Sequence, residues 1–219
     1  MTIIIGLNTE KAIYLASDTM GNDSIIKFHC NKFVKVKDYV IGCSGRDEIQ
    51  LMIEDYLSIK SNRSKLKLES KTQIRQFLRI IYKKANEAAK EVWPDSKIDD
   101  DSEEFLIASP RHLFKANRTL DVLEFDIGEF AAVGVGSTAG LVAMEILFSN
   151  KDFVNQNLLR ITNAIRAVCK YQLECGLIRG APEVIIIDKH TNSRRIEKTT
   201  TPRKAKPSRA VIKSLGRRT

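Results

Sequence analysis

The chain has 219 residues, of which 43% are hydrophobic and 29% are charged, an ordinary composition for a soluble globular protein. Its length suits one large domain or at most two small ones, with enough chain for a substantial core. No apolar run is long enough to span a bilayer, and no secretory signal pattern precedes the first strand. We therefore expect a cytoplasmic protein without a membrane partner.

The net charge of +9 is concentrated at the C-terminus. Seven Lys and Arg residues and no acidic residue lie within 202–219, so the remainder carries 9 − 7 = +2. We predict one domain over residues 1–198 and a flexible basic tail over residues 199–219. The tail is expected to remain solvated, to contact an acidic partner, or to bind nucleic acid through its phosphates. Its apolar residues leave room for a short helix that folds on a partner: Ala210, Val211, Ile212 and Leu215.

The residue types that bind metals are poorly placed for that role in this sequence. The four cysteines and three histidines lack metal-site spacing, and we interpret the cysteines as reduced thiols in a cytosolic core. The acidic stretch 95–104 does not match the spacing of a calcium loop and is predicted to be a solvated loop. We therefore expect neither a metal nor a cofactor.

Short strand patterns separated by turns occupy the N-terminal part of the chain. Apolar and β-branched residues favour strands over 3–7 and 12–17, joined by a polar turn. A loop is predicted over 21–24. Alternation of charged and apolar residues then predicts a half-exposed strand over 32–37, and an apolar run predicts a buried strand over 40–44.

The apolar period becomes helical from Asp47 onwards. One helix is predicted to begin there, because Asp47 and Glu48 are acids in the first turn, where the helix dipole favours them. A polar connector is predicted over 60–71. A second amphipathic helix is predicted from Thr72, a suitable N-cap, to about Trp93.

The second half of the chain repeats the order of strands followed by helices. Four short strands are predicted, over 105–108, 112–115, 120–125 and 130–134. The glycine-rich run 134–140 then opens a helix, and we favour a tight strand–helix turn over a nucleotide site because neither the P-loop nor the dinucleotide pattern is matched. Another helix follows, running to about Gly176. A buried strand is predicted over 183–188, and residues 193–198 are expected to pair with it.

Strands in blocks and helices in pairs predict two antiparallel sheets with helices layered outside them, rather than a βαβ repeat. Near the N-terminus, the hydroxyl of Thr2 is followed by a carboxylate at Asp18 and an ammonium at Lys32. If the fold returns Asp18 and Lys32 to Thr2, these groups form a nucleophile with charged support.

Six segments, taken in order and spacing, resemble proteasome β-type subunits and the HslV peptidases, which are N-terminal-nucleophile hydrolases. The resemblance covers roughly residues 2–188. The matching segments are T-I-I-I-G at Thr2, A-S-D-T ending at Thr19, N-K-F-V at Asn31–Val34, V-I-G-C-S-G at Val40–Gly45, A-V-G-V-G-S at Ala132–Ser137 and E-V-I-I-I-D at Glu183–Asp188.

The resemblance implies a fold and an activity. The fold is an α+β four-layer αββα sandwich, which agrees with the block order of strands and helices. The activity is that of a threonine endopeptidase in homo-oligomeric stacked rings, which cleaves peptides or unfolded proteins delivered by an ATPase unfoldase.

The resemblance also implies a set of catalytic roles. Removal of Met1 would make Thr2 the N-terminal residue, whose hydroxyl attacks while its own α-amine accepts the proton. Lys32 would lower the pKa of these groups, and Asp18 would pair with Lys32. The Gly45 N–H would be the oxyanion donor. The family's G-S-G turn corresponds to Gly134-Val135-Gly136, so valine replaces its serine, and Ser137 is the tentative substitute.

Three functions stay open on the sequence. The first is a ring-forming threonine peptidase. The second is a proteasome-like shell or interaction protein that has lost turnover, which the valine at position 135 favours. The third is a small-amide hydrolase that uses the same nucleophile in a smaller oligomer with a narrow pocket.

Overall fold

The computed structural model describes residues 2–23, 26–92, 103–150, 156–172, 175–177, 181–191 and 193–198, which contain twelve strands and five helices. The strands are β1 Ile4–Asn8, β2 Ala12–Ser17, β3 Met20–Asp23, β4 Ile26–His29, β5 Phe33–Val36, β6 Tyr39–Ser44, β7 Glu104–Ala108, β8 Leu113–Asn117, β9 Val122–Phe125, β10 Phe130–Val133, β11 Glu183–Asp188 and β12 Arg194–Lys198. The helices are α1 Asp47–Ser58, α2 Lys60–Lys65, α3 Lys71–Val92, α4 Ser137–Ser149 and α5 Asn157–Tyr171. The predicted tail and most of the predicted acidic loop lie outside the described residues.

Two five-stranded antiparallel sheets form the centre of the protein. The first sheet has the strand order β10-β1-β2-β11-β12, and the second has the order β5-β6-β7-β8-β9. β3 and β4 pair with each other in a separate hairpin. Every strand pair is antiparallel, as the order of predicted elements indicated.

The core has three layers of buried side chains, and β1 contributes to two of them. Ile4 points into the layer between the two sheets, where it joins residues such as Phe33 and Leu106. Ile3 and Ile5 point the other way and pack with residues of α4 and α5. This alternation follows from the period of two along a strand. A strand buried on both faces needs an uninterrupted apolar sequence, which explains the I-I-I-G-L run.

The third layer lies between the second sheet and helices α1 and α3. α3 supplies Ile74, Phe77, Leu78 and Ile81, which recur at helical spacing and are all buried. Helices therefore cover the outer face of each sheet, and the predicted four-layer αββα sandwich is confirmed. No helix in the described part of the chain is long and apolar enough to cross a membrane.

Four predicted local elements differ from the structure. Glu103 and Glu104, predicted to end a solvated acidic loop, are a fully buried residue and the first residue of β7. Residues 21–23, predicted as loop, belong to β3, whose polar M-G-N-D sequence has weak strand propensity but pairs fully with β4. The predicted connector 60–71 contains α2, which buries no residue and therefore has no apolar stripe to reveal it. α5 ends at Tyr171 rather than near Gly176, because Gln172 adopts an extended conformation (φ −101°, ψ 112°).

Candidate active site

The strand register brings the ends of three segments together around Thr2. Ile4, the first residue of β1, pairs with Ser17 at the end of β2 and with Val133 at the end of β10. In antiparallel pairing, the residues just before β1 therefore meet those just after β2 and β10. Those residues are Thr2, Asp18 and Gly134. Thr2 is only 3% exposed, so the predicted nucleophile lies at the centre of this junction.

Asp18 fastens the start of β1 to a distant segment. Its side chain is fully buried, and its Oδ1 accepts a hydrogen bond from the Ile3 N–H at 3.1 Å. Its Oδ2 accepts from the Gly176 N–H at 3.3 Å, and its own N–H donates to the Ile3 carbonyl at 3.1 Å. The Gly176 carbonyl in turn accepts from the Thr19 N–H at 3.1 Å. One carboxylate thus ties the backbone that directly follows Thr2 to the segment at Gly176.

Lys32 is the buried cation of the site, and its side chain is 4% exposed. It directly precedes β5, and its carbonyl accepts from the Cys43 N–H at 3.0 Å, which continues the β5–β6 pairing. A fully buried ammonium is costly unless charged or polar partners compensate it. Lys32 therefore depends on the polar groups around it, which include Asp18 and the Cys30 thiol.

The pKa of Asp18 is set by a competition between burial and stabilising contacts. Burial raises it above the ordinary value of 3.8, while the Ile3 N–H, the charge of Lys32 and the Gly176 N–H oppose the rise. Burial likewise raises the pKa of the Cys30 thiol, and Lys32 opposes this through its charge and a side-chain hydrogen bond. The Lys32 ammonium is therefore close enough to act electrostatically on both groups.

Gly134 places a backbone turn directly against Thr2. Its φ of +93° is a conformation that residues with a Cβ rarely adopt. A Cβ at this position would collide with the Thr2 carbonyl oxygen and lie 2.8 Å from Ser44 Oγ. Only glycine allows this close approach, so the turn, Thr2 and the end of β6 are in mutual contact.

An ion pair between Glu104 and Lys115 of the second sheet contacts this turn. Glu104 Oε2 accepts from the Gly134 N–H at 2.9 Å, and Glu104 Oε1 lies 2.6 Å from Lys115 Nζ. Lys115 Nζ also donates to the Ala132 carbonyl at 3.2 Å, so it contacts the strand that leads into the turn. Charge-assisted hydrogen bonds of this kind are stronger than neutral ones. The two side chains therefore connect the second sheet to the backbone beside Thr2.

Gly45, the predicted oxyanion donor, follows the end of β6. Its φ is +122°, and a Cβ there would lie 2.8 Å from Glu103 Cγ and 3.0 Å from Glu103 Cα. The residue is exposed, next to the buried Ser44. Backbone strain and the space left by Glu103 both require glycine here, and its donation to an oxyanion stays a prediction.

The position of the family serine is occupied by Val135, whose side chain is 48% exposed at the tip of the turn. Ser137 is half-buried and is the first residue of α4. Its N–H donates to the Gly134 carbonyl at 2.9 Å, so it lies within the same turn. Whether its hydroxyl supports the Thr2 amine stays a prediction.

The structure thus gathers Thr2, Asp18 and Lys32 at one buried junction with Ser44. It adds three residues that the sequence did not indicate as part of a site: Glu104, Lys115 and Gly176. The sequence signal available for Lys115 was a lysine between the apolar residues Phe114 and Ala116 of β8. Among the described residues, no group of three or more His, Cys, Asp or Glu is arranged to hold a metal ion.

An αββα sandwich with a threonine buried at the start of its first strand is the class of structure that the resemblance predicted. No protein-family model matches the sequence, and no curated protein matches it either. Solved structures do match. Thiobacillus denitrificans BPH is 20% identical, with a TM-score of 0.67 over 85% of this chain and 97% of that chain.

Two further structures give the same result. Thiobacillus denitrificans BPH in complex with epoxomicin is 19% identical, with a TM-score of 0.65 over 85% of this chain and 98% of that chain. Eukaryotic HslV from Trypanosoma brucei is 14% identical, with a TM-score of 0.58 over 85% of this chain and 99% of that chain. The fold of this chain is therefore that of BPH and HslV, which confirms the predicted resemblance at the level of the fold.

Proposed function

We propose that this protein is a threonine-type peptidase in which cleavage of the Met1–Thr2 peptide bond creates the nucleophile. The observation that carries this proposal is the junction around Thr2, where Asp18 is buried beside the start of β1 and the Gly134 turn lies against the Thr2 carbonyl. Lys32 is buried near enough to Asp18 for its charge to act on that carboxyl. An isolated buried lysine and aspartate would be costly to keep. A reaction that needs both charges beside one hydroxyl explains their presence.

In this proposal the first half of the reaction forms an ester. The Thr2 α-amine accepts the hydroxyl proton as Oγ attacks the carbonyl carbon of the substrate peptide bond. The tetrahedral intermediate then collapses, the C–N bond breaks, and the amine returns its proton to the departing nitrogen. Water attacks the Thr2 ester in the second half, which releases the carboxylic acid product and restores the hydroxyl.

The supporting residues act on charge and position. The Lys32 ammonium favours the deprotonated forms of the Thr2 amine and hydroxyl, because a nearby positive charge lowers both pKa values. An α-amine ordinarily has a pKa of about 8, so a modest decrease makes it a base at neutral pH. Asp18 fixes the backbone that directly follows Thr2, because its carboxylate accepts from the Ile3 N–H and the Gly176 N–H.

The Gly45 N–H is the proposed donor to the oxyanion, and the Ser137 hydroxyl is the proposed partner of the amine. Removing one oxyanion donor typically lowers a rate about 10²–10³-fold. The exposure of Gly45, beside the buried Ser44, leaves its backbone available to a substrate. A hydrolase that acts on a small amide would use the same groups and remains an alternative. Such an enzyme would not cleave peptides, and this failure would distinguish it from the peptidase.

We extend the proposal to the assembly and its setting. The chain is proposed to form homo-oligomeric stacked rings that receive unfolded protein from an ATPase unfoldase in the cytoplasm. The fold shared with HslV supports the ring, and the four free cysteines suit a reducing compartment. Native mass spectrometry tests the ring directly, since a monomer or dimer at micromolar concentration would contradict it.

One observation favours a second function, a proteasome-like shell protein with impaired turnover. Val135 stands where the family has a serine, and its exposed side chain offers no hydrogen bond to the site. A shell protein would keep the fold and the ring but would retain Met1. The state of the N-terminus therefore separates the two functions.

The proposed peptidase is tested by cleavage of fluorogenic peptides with three proteins. Wild type should cleave, Thr2→Ala should lose at least about 10³-fold because the nucleophile is absent, and Thr2→Ser should retain measurable activity because its hydroxyl can attack. Equal rates for wild type and Thr2→Ala would contradict the proposal. Circular dichroism of all three variants checks that the fold is intact.

A further inference from the structure

A groove on the outer helix layer lies between α1 and α3, and none of the residues that line it belongs to the junction around Thr2. It encloses about 280 Å³ and has an apolar floor formed by Met52 and Tyr56. Both side chains also pack against the core below, so the floor is fixed. Ile59, at the junction of α1 and α2, adds an apolar side chain that is 52% exposed. Exposed apolar surface inside a groove is typical of a docking site.

The rim of the groove is acidic. Asp55, Glu87 and Glu91 line it together with one base, Lys84, so the lining carries three negative charges and one positive charge. This is unusual for the protein, because residues 1–201 as a whole carry +2. Lys83 lies 3.8 Å from the Glu87 carboxylate in an exposed pair, which leaves Asp55 and Glu91 as the main acids of the rim. The groove therefore fits an occupant that combines apolar side chains with several positive charges.

The chain's own C-terminal segment has that composition. Residues 202–219 contain seven Lys and Arg residues and no acid, and they surround the apolar Val211, Ile212 and Leu215. Ile212 and Leu215 are three residues apart, a spacing that places both on one face of a helix.

The position where the described chain ends makes the groove accessible to this segment. Lys198, at the end of β12, pairs with Glu183, whose Oε1 lies 2.6 Å from Lys35 Nζ on β5. The last described residue is thus at the edge of the sandwich where β5 lies, and α1 packs on β5. From Lys198 to Ile212 an extended chain reaches about 45 Å. Passing one sheet layer and one helix layer requires only about 20 Å.

We propose that residues 202–219 dock into the groove between α1 and α3 of their own chain. Val211, Ile212 and Leu215 cover Met52, Tyr56 and Ile59, while the basic side chains face Asp55, Glu87 and Glu91. The docked segment covers the exposed apolar surface and brings the positive charge of the tail to the acidic rim. This proposal does not depend on peptidase activity.

Photocrosslinking of the full-length protein tests the docking. Ile212→benzoylphenylalanine is irradiated in protein assembled from an equal mixture of unlabelled and ¹⁵N-labelled chains that were unfolded and refolded together, so that both kinds of chain share each assembly. The linked peptides are identified by mass spectrometry. We expect adducts within 52–59 or 84–91, with both peptides from the same isotopic copy. Adducts elsewhere, mixed isotopic pairs or no adduct at all would each overturn the proposal.

Charge variants provide the second part of the test. The triple variant Asp55→Lys, Glu87→Lys and Glu91→Lys should reduce the adduct yield about tenfold, because favourable ion pairs become repulsive. The matched control changes three exposed acids outside the groove: Glu10→Lys, Asp126→Lys and Glu145→Lys. Its yield should remain within about twofold of wild type, since surface charges elsewhere are screened by salt.

A variant of the tail tests the same charge contacts without changing the groove, so its result does not depend on whether the groove variant folds. Lys204→Gln, Lys206→Gln, Arg209→Gln and Lys213→Gln change no residue of the described structure and should also reduce the yield about tenfold. High salt should act in the same direction. Unchanged yields in the groove variant and the tail variant would contradict the electrostatic argument.

Discussion

Gly134→Ala should damage both stability and catalysis, because the turn at Gly134 lies against Thr2. The added Cβ would meet the Thr2 carbonyl oxygen and Ser44 Oγ, the latter at 2.8 Å. Forcing a residue with a Cβ into a left-handed conformation costs about 1–2 kcal/mol. Overpacking at a tight contact adds about 1–3 kcal/mol. We expect a total loss of about 2–5 kcal/mol in the free energy of unfolding.

The catalytic effect follows from the same displacement. Thr2 must move to accommodate the methyl group, and a misplacement of about 1 Å can lower a rate about 10²-fold. Denaturant unfolding measures the stability change, and fluorogenic peptide cleavage measures the rate. Rates must be compared under conditions where both variants are folded.

Gly128→Ala is a matched control for this prediction. Gly128 has the same φ of +93°, but a Cβ there would meet nothing within 4 Å. The free energy of unfolding of this variant should therefore fall only by the cost of the left-handed backbone conformation, about 1–2 kcal/mol, and its cleavage rate should equal that of wild type. If the two alanine variants had equal stabilities and equal rates, contact between the turn and Thr2 would not be what requires glycine.

Three further predictions concern the support of the site. Asp18→Asn should destabilise the protein by about 1–3 kcal/mol, because an amide replaces one of the two acceptor oxygens with a donor facing a backbone N–H. The contribution of Asp18 to stability should depend on pH, because its pKa is raised in the folded protein. Its protonated carboxyl stabilises the fold below about pH 3.8, and this contribution is lost as the pH rises through the folded pKa. The stability gap to Asp18→Asn, measured by urea unfolding at several pH values, should therefore narrow with rising pH, and a widening gap would contradict the burial argument. Glu104→Gln should lower the cleavage rate about tenfold by weakening the hold on the Gly134 N–H, and Lys115→Met should act in the same direction, whereas wild-type rates in both would exclude this support. Val135→Ser should raise the cleavage rate by about two- to tenfold if a hydroxyl at the turn supports the Thr2 amine, and an unchanged or lower rate would leave Ser137 as the candidate partner.

The layered fold was predictable because its signals are local and periodic. The β-branched run at residues 3–7 and the helical spacing in α3 each follow directly from the sequence, and their block order predicted stacked sheets between helices. α2 and the β3–β4 hairpin were missed for the opposite reason. α2 buries no side chain, and β3 is held by backbone pairing rather than by an apolar pattern.

The site was predictable only where a motif marked it. Thr2, Asp18 and Lys32 were proposed from their residue types and given roles by the resemblance. The antiparallel register of the first sheet explains why Thr2 and Asp18 converge, whereas Lys32 comes from the second sheet. Glu104 was assigned to an acidic loop, because nothing in the sequence indicates that its carboxylate contacts Gly134 thirty residues later. The contact depends on how the two sheets are stacked. Such contacts between layers have no local sequence signature.

The most direct test of the proposed nucleophile is the intact mass of the purified protein before and after treatment with epoxomicin. Its ketone and epoxide are two electrophiles, matched to the hydroxyl and the free α-amine of an N-terminal threonine. We predict that wild type lacks Met1 and gains one adduct, and that Thr2→Ala gains none. A protein that retains Met1 and gains no adduct would contradict the peptidase and favour the shell protein.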